Sequence, residues 1–297
     1  MSHHSNNQAA TQADQCYIYT KKDGYIPRVA AVHDLCGYGK CSLGIVIPVL
    51  SAAGIDVCPL PTALFSAHTK YPVFTFRDTT EDLPGYIDAW QKIGVDLDAI
   101  YSGFLGSGAQ IDTILELARR YPQARLIIDP VMGDGGQLYP TYTDDLCQAM
   151  RQLAWHAEVL TPNLTEAAIL TGQAYAGQAP SDEAVQALLT ALLDRGVKYV
   201  VLKGIERGEE VVNFVAGQDI KTEQISGPLY PEKLHGTGDL FASVLTAALI
   251  SGHSLAAAVR TATDLVYQAM FVSARQPDYA MRGVSFESLL GQVAKLA

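Results

Sequence analysis

The chain has 297 residues, enough for one large domain or two small ones with a substantial core. It is 48% apolar and 18% charged, the balance of an ordinary globular protein. Its net charge of −10 argues against a nucleic-acid surface; any phosphate it binds must be held by backbone N–H groups, a few Lys or Arg, and metal ions.

The first residues, "MSHHSNNQAATQADQ", contain no apolar h-region, so no secretory signal is expected. Residues 1–24 read as a disordered tail ahead of one domain over 25–297, with His3 and His4 incidental rather than metal ligands. A first strand is predicted over 28–34, "RVAAVHD", and a helix over 42–54. The loop between them, "CGYGKC", does not match G-x-G-x-x-G, because Gly37, Gly39 and Gly44 are wrongly spaced for a dinucleotide fingerprint. No Walker A sequence occurs either. The five cysteines, Cys16, Cys36, Cys41, Cys58 and Cys147, are odd in number and form no C-x-x-C pair, which suits reduced thiols in a cytoplasm.

A second strand over 55–64 runs into "LPTALFSAHTKYP", which sets Thr62, Ser66, His68 and Thr69 at its carboxyl end. These groups, with those ending the first strand, are placed to face a small organic substrate, although a lone His68 is more often structural. A third strand over 97–106 precedes a helix over 109–122. The strand over 124–131 carries Asp129 at its end and Asp134 five residues on, among Gly133, Gly135 and Gly136. Two carboxylates beside a glycine loop suit a hydrated Mg²⁺ that shares its other positions with phosphate oxygens. The plainer reading is an Asp-Pro turn with a solvated Asp134.

A helix near 144–154 leads to a strand over 157–163 and a helix over 165–172. Asn163 and Glu166 are spaced as a capping box, a complete explanation by itself. Together with Thr161 they also stand where a metal-bound triphosphate needs partners. The strand over 198–205 presents Lys203, a candidate partner for nucleotide phosphate or a surface lysine. Strand and helix in alternation predict a mostly parallel sheet with helices on both faces, with ligands outside the carboxyl ends of the strands. The rhythm breaks at 209–217 and 220–226, which flank a short "QD" turn and predict an antiparallel edge hairpin.

The stretch "KLHGTGDLFASVLTAALISG" (233–252) then opens a helix whose Leu240, Phe241, Val244, Leu245, Ala248 and Leu249 share one face. Its apolar run is too short to span a membrane. Gly236 and Gly238 leave bare N–H groups at the helix start, where the dipole favours an anion. Asp239 competes with that anion unless it serves the reaction. Phosphoryl transfer resolves the conflict: Gly236, Thr237 and Gly238 hold the phosphoryl group, and Asp239 takes the proton of the attacking alcohol. The helix terminus is expected to lower the pKa of Asp239, keeping it ionised near pH 7. Helices over 254–274 and 285–296 complete the chain.

Four segments in order, "LPTALFSAHT", "DPVMGDGG", "TPNLTEA" and "HGTGDLFAS", resemble the ribokinase superfamily and within it the pyridoxal/pyridoxamine kinases, over roughly 28–275. The resemblance implies a ribokinase-like α/β fold and ATP-dependent phosphorylation of the 5′-hydroxymethyl group of a B6 vitamer. It implies that Asp239 is the base and Gly236–Gly238 the anion hole, with Leu234 and His235 bordering the nucleotide. Asp129, Thr161, Asn163, Lys203 and Gly204 are implied on the ATP side, Asp134 and Glu166 at Mg²⁺, and K⁺ as a monovalent cation. The vitamin ring is implied to lie by His33, Asp34, Thr62, Phe65, Ser66, His68 and Thr69. A cytoplasmic homodimer follows from the resemblance alone, with no nucleic acid or membrane partner.

Two departures stand out. His33 and Asp34 occupy the place of a serine that ends the first strand in the better-known pyridoxal kinases, and Lys203 replaces a threonine near the nucleotide. The alternatives are a hydroxymethylpyrimidine kinase of the same superfamily, a catalytically silent ligand-binding homologue, or a dinucleotide-dependent dehydrogenase, against which the glycine spacing counts.

Overall fold

A computed structural model describes residues 11–297. His3 and His4 lie outside the described residues. In chain order the elements are β1 (Arg28–Cys36), α1 (Leu43–Ala52), β2 (Asp56–Phe65), β3 (Phe76–Asp78), α2 (Leu83–Ile93), β4 (Ala99–Ser102), α3 (Gly108–Arg120) and β5 (Arg125–Ile128). A two-stranded hairpin follows, β6 (Gly133–Asp134) with β7 (Gln137–Leu138), then α4 (Asp144–Ala154), β8 (Val159–Leu160), α5 (Leu164–Thr171) and α6 (Asp182–Leu193). Then come β9 (Tyr199–Arg207), β10 (Glu210–Gly217), β11 (Glu223–Pro228), α7 (Thr237–Ile250) and α8 (Leu255–Ser273), followed by short helical turns from Tyr279 onward.

The strands form one nine-stranded sheet ordered β11-β10-β9-β8-β5-β4-β1-β2-β3. The six from β2 to β9 pair in parallel; β10 and β11 extend one edge antiparallel, and β3 pairs antiparallel with β2 at the other. The central strands are apolar on both faces, as parallel strands covered by helices must be. From Val29 to Val32 every residue of β1 is buried. One face packs α1, α7 and α8. The other packs α2 through α6.

The expected alternation and edge hairpin are present, and β9 lengthens the hairpin into a three-stranded meander. The sequence reading omitted β3, α2, α6 and the β6–β7 hairpin. The segment expected as a helix over 285–296 is helical without a break from 287 to 296, a 3-10 turn Glu287–Leu289, an α-turn Leu290–Val293 and a 3-10 turn Ala294–Leu296. The expected tail is corrected for residues 11–24. Ala13, Cys16, Ile18 and Tyr19 are buried in the α7–α8 core. Tyr17 bridges to Ser254, and the hydroxyls of Tyr19 and Tyr25 donate to Asp98 at 2.9 and 3.0 Å. The polar composition of the first residues hid four core side chains spaced too irregularly to show a period.

α7 is the buried centre of its layer. All eleven residues from Leu240 to Ile250 are buried, because α1 lies against one flank and α8 against the other. β1 is the strand from which the sheet order runs both ways, to β2 and to β4. Such a point opens a crevice at the carboxyl ends.

Candidate active site

Residues from β1, β4, β5, β8 and β9 and the N-terminus of α7 converge outside the carboxyl ends of the sheet. At the end of β5, Asp129 is 1% exposed and its backbone N–H donates to Ser102 O at 2.8 Å. One of its oxygens accepts from the Thr161 hydroxyl at 2.9 Å, and the same oxygen accepts from the Lys203 ammonium. Parallel pairing sets the ends of β5, β8 and β9 side by side; Lys203 lies level with Asn163, two residues beyond Thr161, and its side chain reaches back to Asp129. Burial works against the Lys203 charge, but Asp129, Glu166 and Asp239 outweigh it and lift its pKa above the ordinary lysine value. The lysine keeps donors to spare for an anion.

Asn163 and Glu166 form the expected capping box of α5. The Asn163 side chain accepts from Glu166 N at 2.9 Å, and Glu166 Oε2 accepts from Asn163 N at 2.7 Å. The other glutamate oxygen accepts from Met132 N at 3.4 Å, and Asn163 Nδ2 donates to Gly133 O at 2.9 Å. The box thereby pins the loop that carries Asp134. Burial pushes the Glu166 carboxyl up to about 8, against the pull of Lys203. Asp134 is exposed on β6.

At the mouth of α7, Gly236 has φ 84°. A Cβ there would stand 2.2 Å from the Lys40 carbonyl oxygen, so only glycine admits this approach of the β1–α1 loop. A Cβ on Gly238 would lie 3.9 Å from Lys203 Nζ, which joins the Asp129–Thr161–Lys203 group to the helix start. The Thr237 hydroxyl donates to Leu234 O at 2.9 Å, closing the turn.

Asp239 corrects one expectation. Burial pushes its carboxyl up to about 7, with Asp129 and Asp34 adding to the rise. The helix terminus alone predicted a lowered value, but desolvation beside two other carboxylates outweighs it.

On the β1 side, His33 is 0% exposed and packs edge-on against Tyr101, with centroids 4.5 Å apart. Neither ring nitrogen has a partner, and burial lowers its pKa to about 3, so it is neutral. Gly103 makes room for it: a Cβ there would fall 2.3 Å from His33 Nδ1. Asp34 is buried and accepts from the Ser42 hydroxyl at 2.5 Å. Burial raises its pKa.

His68 stacks on His235 at 4.1 Å. Its Nδ1 accepts from Lys70 N at 3.0 Å, leaving the proton on Nε2, and burial lowers its pKa to about 4. His235 directs Nε2 to Met281 O at 2.8 Å. Thr62 is buried, its hydroxyl committed to Phe104 O at 3.2 Å. Ser66 is exposed and accepts from Thr75 N at 2.7 Å, Phe65 is half-buried, and Thr69 is exposed. Gly204 is exposed, with its N–H on Asn213 Oδ1 at 2.9 Å, and Leu234 is buried.

Sequence reasoning missed Ser42, Gly103 and the Lys40 carbonyl, since no local pattern marks a residue whose role lies in contacts across the fold. Cys36 and Cys41 are both buried at the ends of the β1–α1 loop, and the Cys36 thiol donates to Tyr38 O at 3.5 Å.

The family model described as phosphomethylpyrimidine kinase matches residues 86–281. A pyridoxine/pyridoxal/pyridoxamine kinase of Bordetella avium is 32% identical over 82% of this chain and 84% of its own. A pyridoxal kinase of Lactobacillus plantarum superposes with a TM-score of 0.85 at 30% identity, covering 92% of this chain and 98% of that one. A Bacteroides thetaiotaomicron protein classed with the phosphomethylpyrimidine kinases, in a crystal form with pyridoxal, gives a TM-score of 0.86 at 36% identity over 91% of this chain and 96% of that one. The chain belongs to the phosphomethylpyrimidine kinase family of the ribokinase superfamily.

Proposed function

We infer that this enzyme transfers the terminal phosphoryl group of ATP to the 5′-hydroxymethyl group of a B6 vitamer: pyridoxal, pyridoxamine or pyridoxine. The observation that carries the reading is the placing of Asp239 beside the glycine turn of α7, within charge reach of Lys203, in a chain 36% identical to a protein crystallised with pyridoxal.

In this reading the vitamin ring lies toward His33, Asp34, Ser66 and His68, with its hydroxymethyl group against Asp239. Asp239 accepts the hydroxyl proton as the oxygen bonds to phosphorus and the bond to ADP breaks. A base whose pKa sits at about 7 is half-ionised at neutral pH and strong enough to hold the proton it receives. Charge on the transferring oxygens is met by the N–H groups of Gly236–Gly238 and by Lys203. Asp129, Thr161, Asn163, Gly204, Leu234 and His235 are proposed along the nucleotide. Thr62 serves instead to hold β2 to the loop after β4.

Among the described residues no group of three His, Cys, Asp or Glu side chains is gathered to cage a metal. Both Glu166 oxygens already accept backbone N–H groups. The donor set therefore fits a Mg²⁺ held chiefly by phosphate and water, with Asp134 and Glu166 proposed as the carboxylates that would hold it through that water. Bound there, the ion would neutralise triphosphate charge. K⁺ and a homodimer are proposed from the family resemblance alone. Among the described residues no helix is long and apolar enough to cross a membrane.

A hydroxymethylpyrimidine acceptor is the second reading, favoured by the description of the matching family model. ATP consumption with Mg²⁺ and K⁺ would be measured on pyridoxal, pyridoxamine, pyridoxine, hydroxymethylpyrimidine and ribose. Turnover on a B6 vitamer that is lost in Asp239→Asn is expected. Turnover confined to hydroxymethylpyrimidine or ribose would keep the mechanism and overturn the substrate, and silence on all five would favour a ligand-binding homologue.

A further inference from the structure

The pairing of β9 with β10 slips once. Ile205 lies opposite Val212 and Leu202 opposite Phe214, so Lys203 and Gly204 together face the single Asn213. Two residues against one make a β-bulge, a device that re-aims a side chain beside a functional site. Burial along the strand records the slip. Leu202 and Ile205, three residues apart, both enter the core layer of α2–α6, where strict alternation would part them. Tyr199 and Val201 enter the opposite layer with α7 and α8, and Lys203 follows them in step. On β10, Val215 enters that same layer, and Asn213 follows it.

Gly204 has φ 78° at the slip, and its N–H donates to Asn213 Oδ1 at 2.9 Å. Asn213 is buried, and its Nδ2 donates to the Thr263 hydroxyl of α8 at 2.9 Å. That hydroxyl donates in turn to Val259 O at 2.8 Å. The amide of Asn213 thus ties the bulge to the helix behind it. On the other flank, Lys203 N donates to Pro162 O at 2.9 Å, beside its bridge to Asn163. Held in this way, Lys203 meets Asp129 and comes near Gly238, whose Cβ would lie 3.9 Å from its ammonium. Gly204 beside it is exposed, and a Cβ there would meet no atom within 4 Å. In a regular strand Ile205 would turn its side chain to this face, next to Lys203, where a phosphate has to come.

We propose that Asn213 is a positioning residue for phosphoryl transfer: anchored to α8 through Thr263, it holds the bulge that aims Lys203 at Asp129 and at the mouth of α7. The proposal rests on the reading of Lys203 as a partner of phosphate. Neither Lys203 nor Gly204 has a ladder partner on β10, so without the Asn213 amide the bulge is free to slide or flatten. A slip of one residue exchanges the faces of the side chains, which brings Ile205 to the α7 side and withdraws Lys203.

The test measures Mg-ATP binding by calorimetry without an acceptor, and steady-state kinetics with pyridoxal. In Asn213→Ala the Kd for Mg-ATP should rise about 5- to 10-fold and kcat should fall about 10- to 100-fold, while the KM for pyridoxal stays within about twofold. Thr263→Val keeps the shape and loses the hydroxyl, and should move Kd and kcat in the same directions. Thr263→Ser restores the hydroxyl and should return both to within about twofold of wild type. Lys203→Gln keeps a donor for Asp129 without the charge, and should itself weaken ATP binding. Asn213→Ala added to Lys203→Gln should change either constant by less than about twofold, because residues that act as a unit are not additive.

A purely structural role would lower the melting temperature and leave Kd and kcat of the folded protein unchanged. That result, beside an impaired Lys203→Gln, overturns the role of Asn213 alone. Full multiplication of the two effects in the double variant overturns it as well. An unimpaired Lys203→Gln overturns the reading of Lys203 and the role of Asn213 together. Absence of turnover on pyridoxal, with the ATP-binding shifts as expected, overturns the acceptor and leaves the role of Asn213 standing.

Discussion

Replacing Asp239 by asparagine should make the protein more stable as it makes it inactive, and the stability gain should depend on pH in a defined direction. Burial beside Asp129 and Asp34 pushes the Asp239 carboxyl from its ordinary 3.8 up to about 7. The folded state therefore holds this proton more tightly than the unfolded chain does. Stability carried by the neutral acid is complete below about pH 4, is lost as pH rises toward about 7, and is flat above. Each pH unit between those values is worth about 1.4 kcal/mol, so charging Asp239 costs the fold about 4 kcal/mol at pH 8 and about 2 kcal/mol at pH 5. Asparagine keeps nearly the same shape and never charges. Urea unfolding of wild type and Asp239→Asn at pH 5 and pH 8 should show the variant ahead at both, with the margin growing by about 2 kcal/mol toward pH 8. In kinetics, kcat should fall by about two to four orders of magnitude. The kcat/KM profile of wild type should carry an acidic limb near pH 7, because that quantity reports the free enzyme. A variant with no gain at pH 8, or with the same gain at both pH values, would refute the argument that burial charges the fold for its base.

Three further outcomes are expected. Gly236→Ala, whose Cβ would lie 2.2 Å from Lys40 O at φ 84°, should lower kcat at least about 100-fold, because the β1–α1 loop must retreat from the helix start; turnover near wild type would show that the loop yields freely. Lys203→Met leaves the Asp129 carboxylate, 2% exposed at its side chain, without its cation, and should cost about 3–5 kcal/mol in urea unfolding at pH 7 besides raising the KM for ATP; a cost under about 1 kcal/mol would mean that Thr161 suffices to hold the buried charge. Ile18→Ala should destabilise by about 2–5 kcal/mol in the same assay, since Ile18 is 3% exposed in the α7–α8 core; a negligible effect would restore the segment before β1 to the status of a tail.

Much of this protein is legible in its sequence because the signals are local. The apolar runs of β1, β5 and β9 and the glycine turn before α7 are each read within about ten residues, and so is the capping box of Asn163 and Glu166. Strand–helix alternation then dictates a parallel sheet, whose carboxyl ends must carry Asp129, Thr161 and Lys203, with Asp239 supplied by the first turn of α7. Short or polar pieces were lost: β3 has three exposed residues, and the core anchors Ala13, Cys16 and Ile18 sit in a segment without period. What only the tertiary structure decided is how the ends of distant strands meet. Pairing of β5 with β8 and of β8 with β9 places Lys203 on Asp129, 74 residues away in sequence. Burial, a property of the assembled layers, reverses the direction that the helix terminus alone predicted for Asp239. The same packing sets the hydroxyl of Ser42, eight residues along the chain, on the buried Asp34 carboxylate. Sequence fixes which chemistry each strand end can offer; desolvation and distance, which exist only once the layers close, fix what that chemistry becomes.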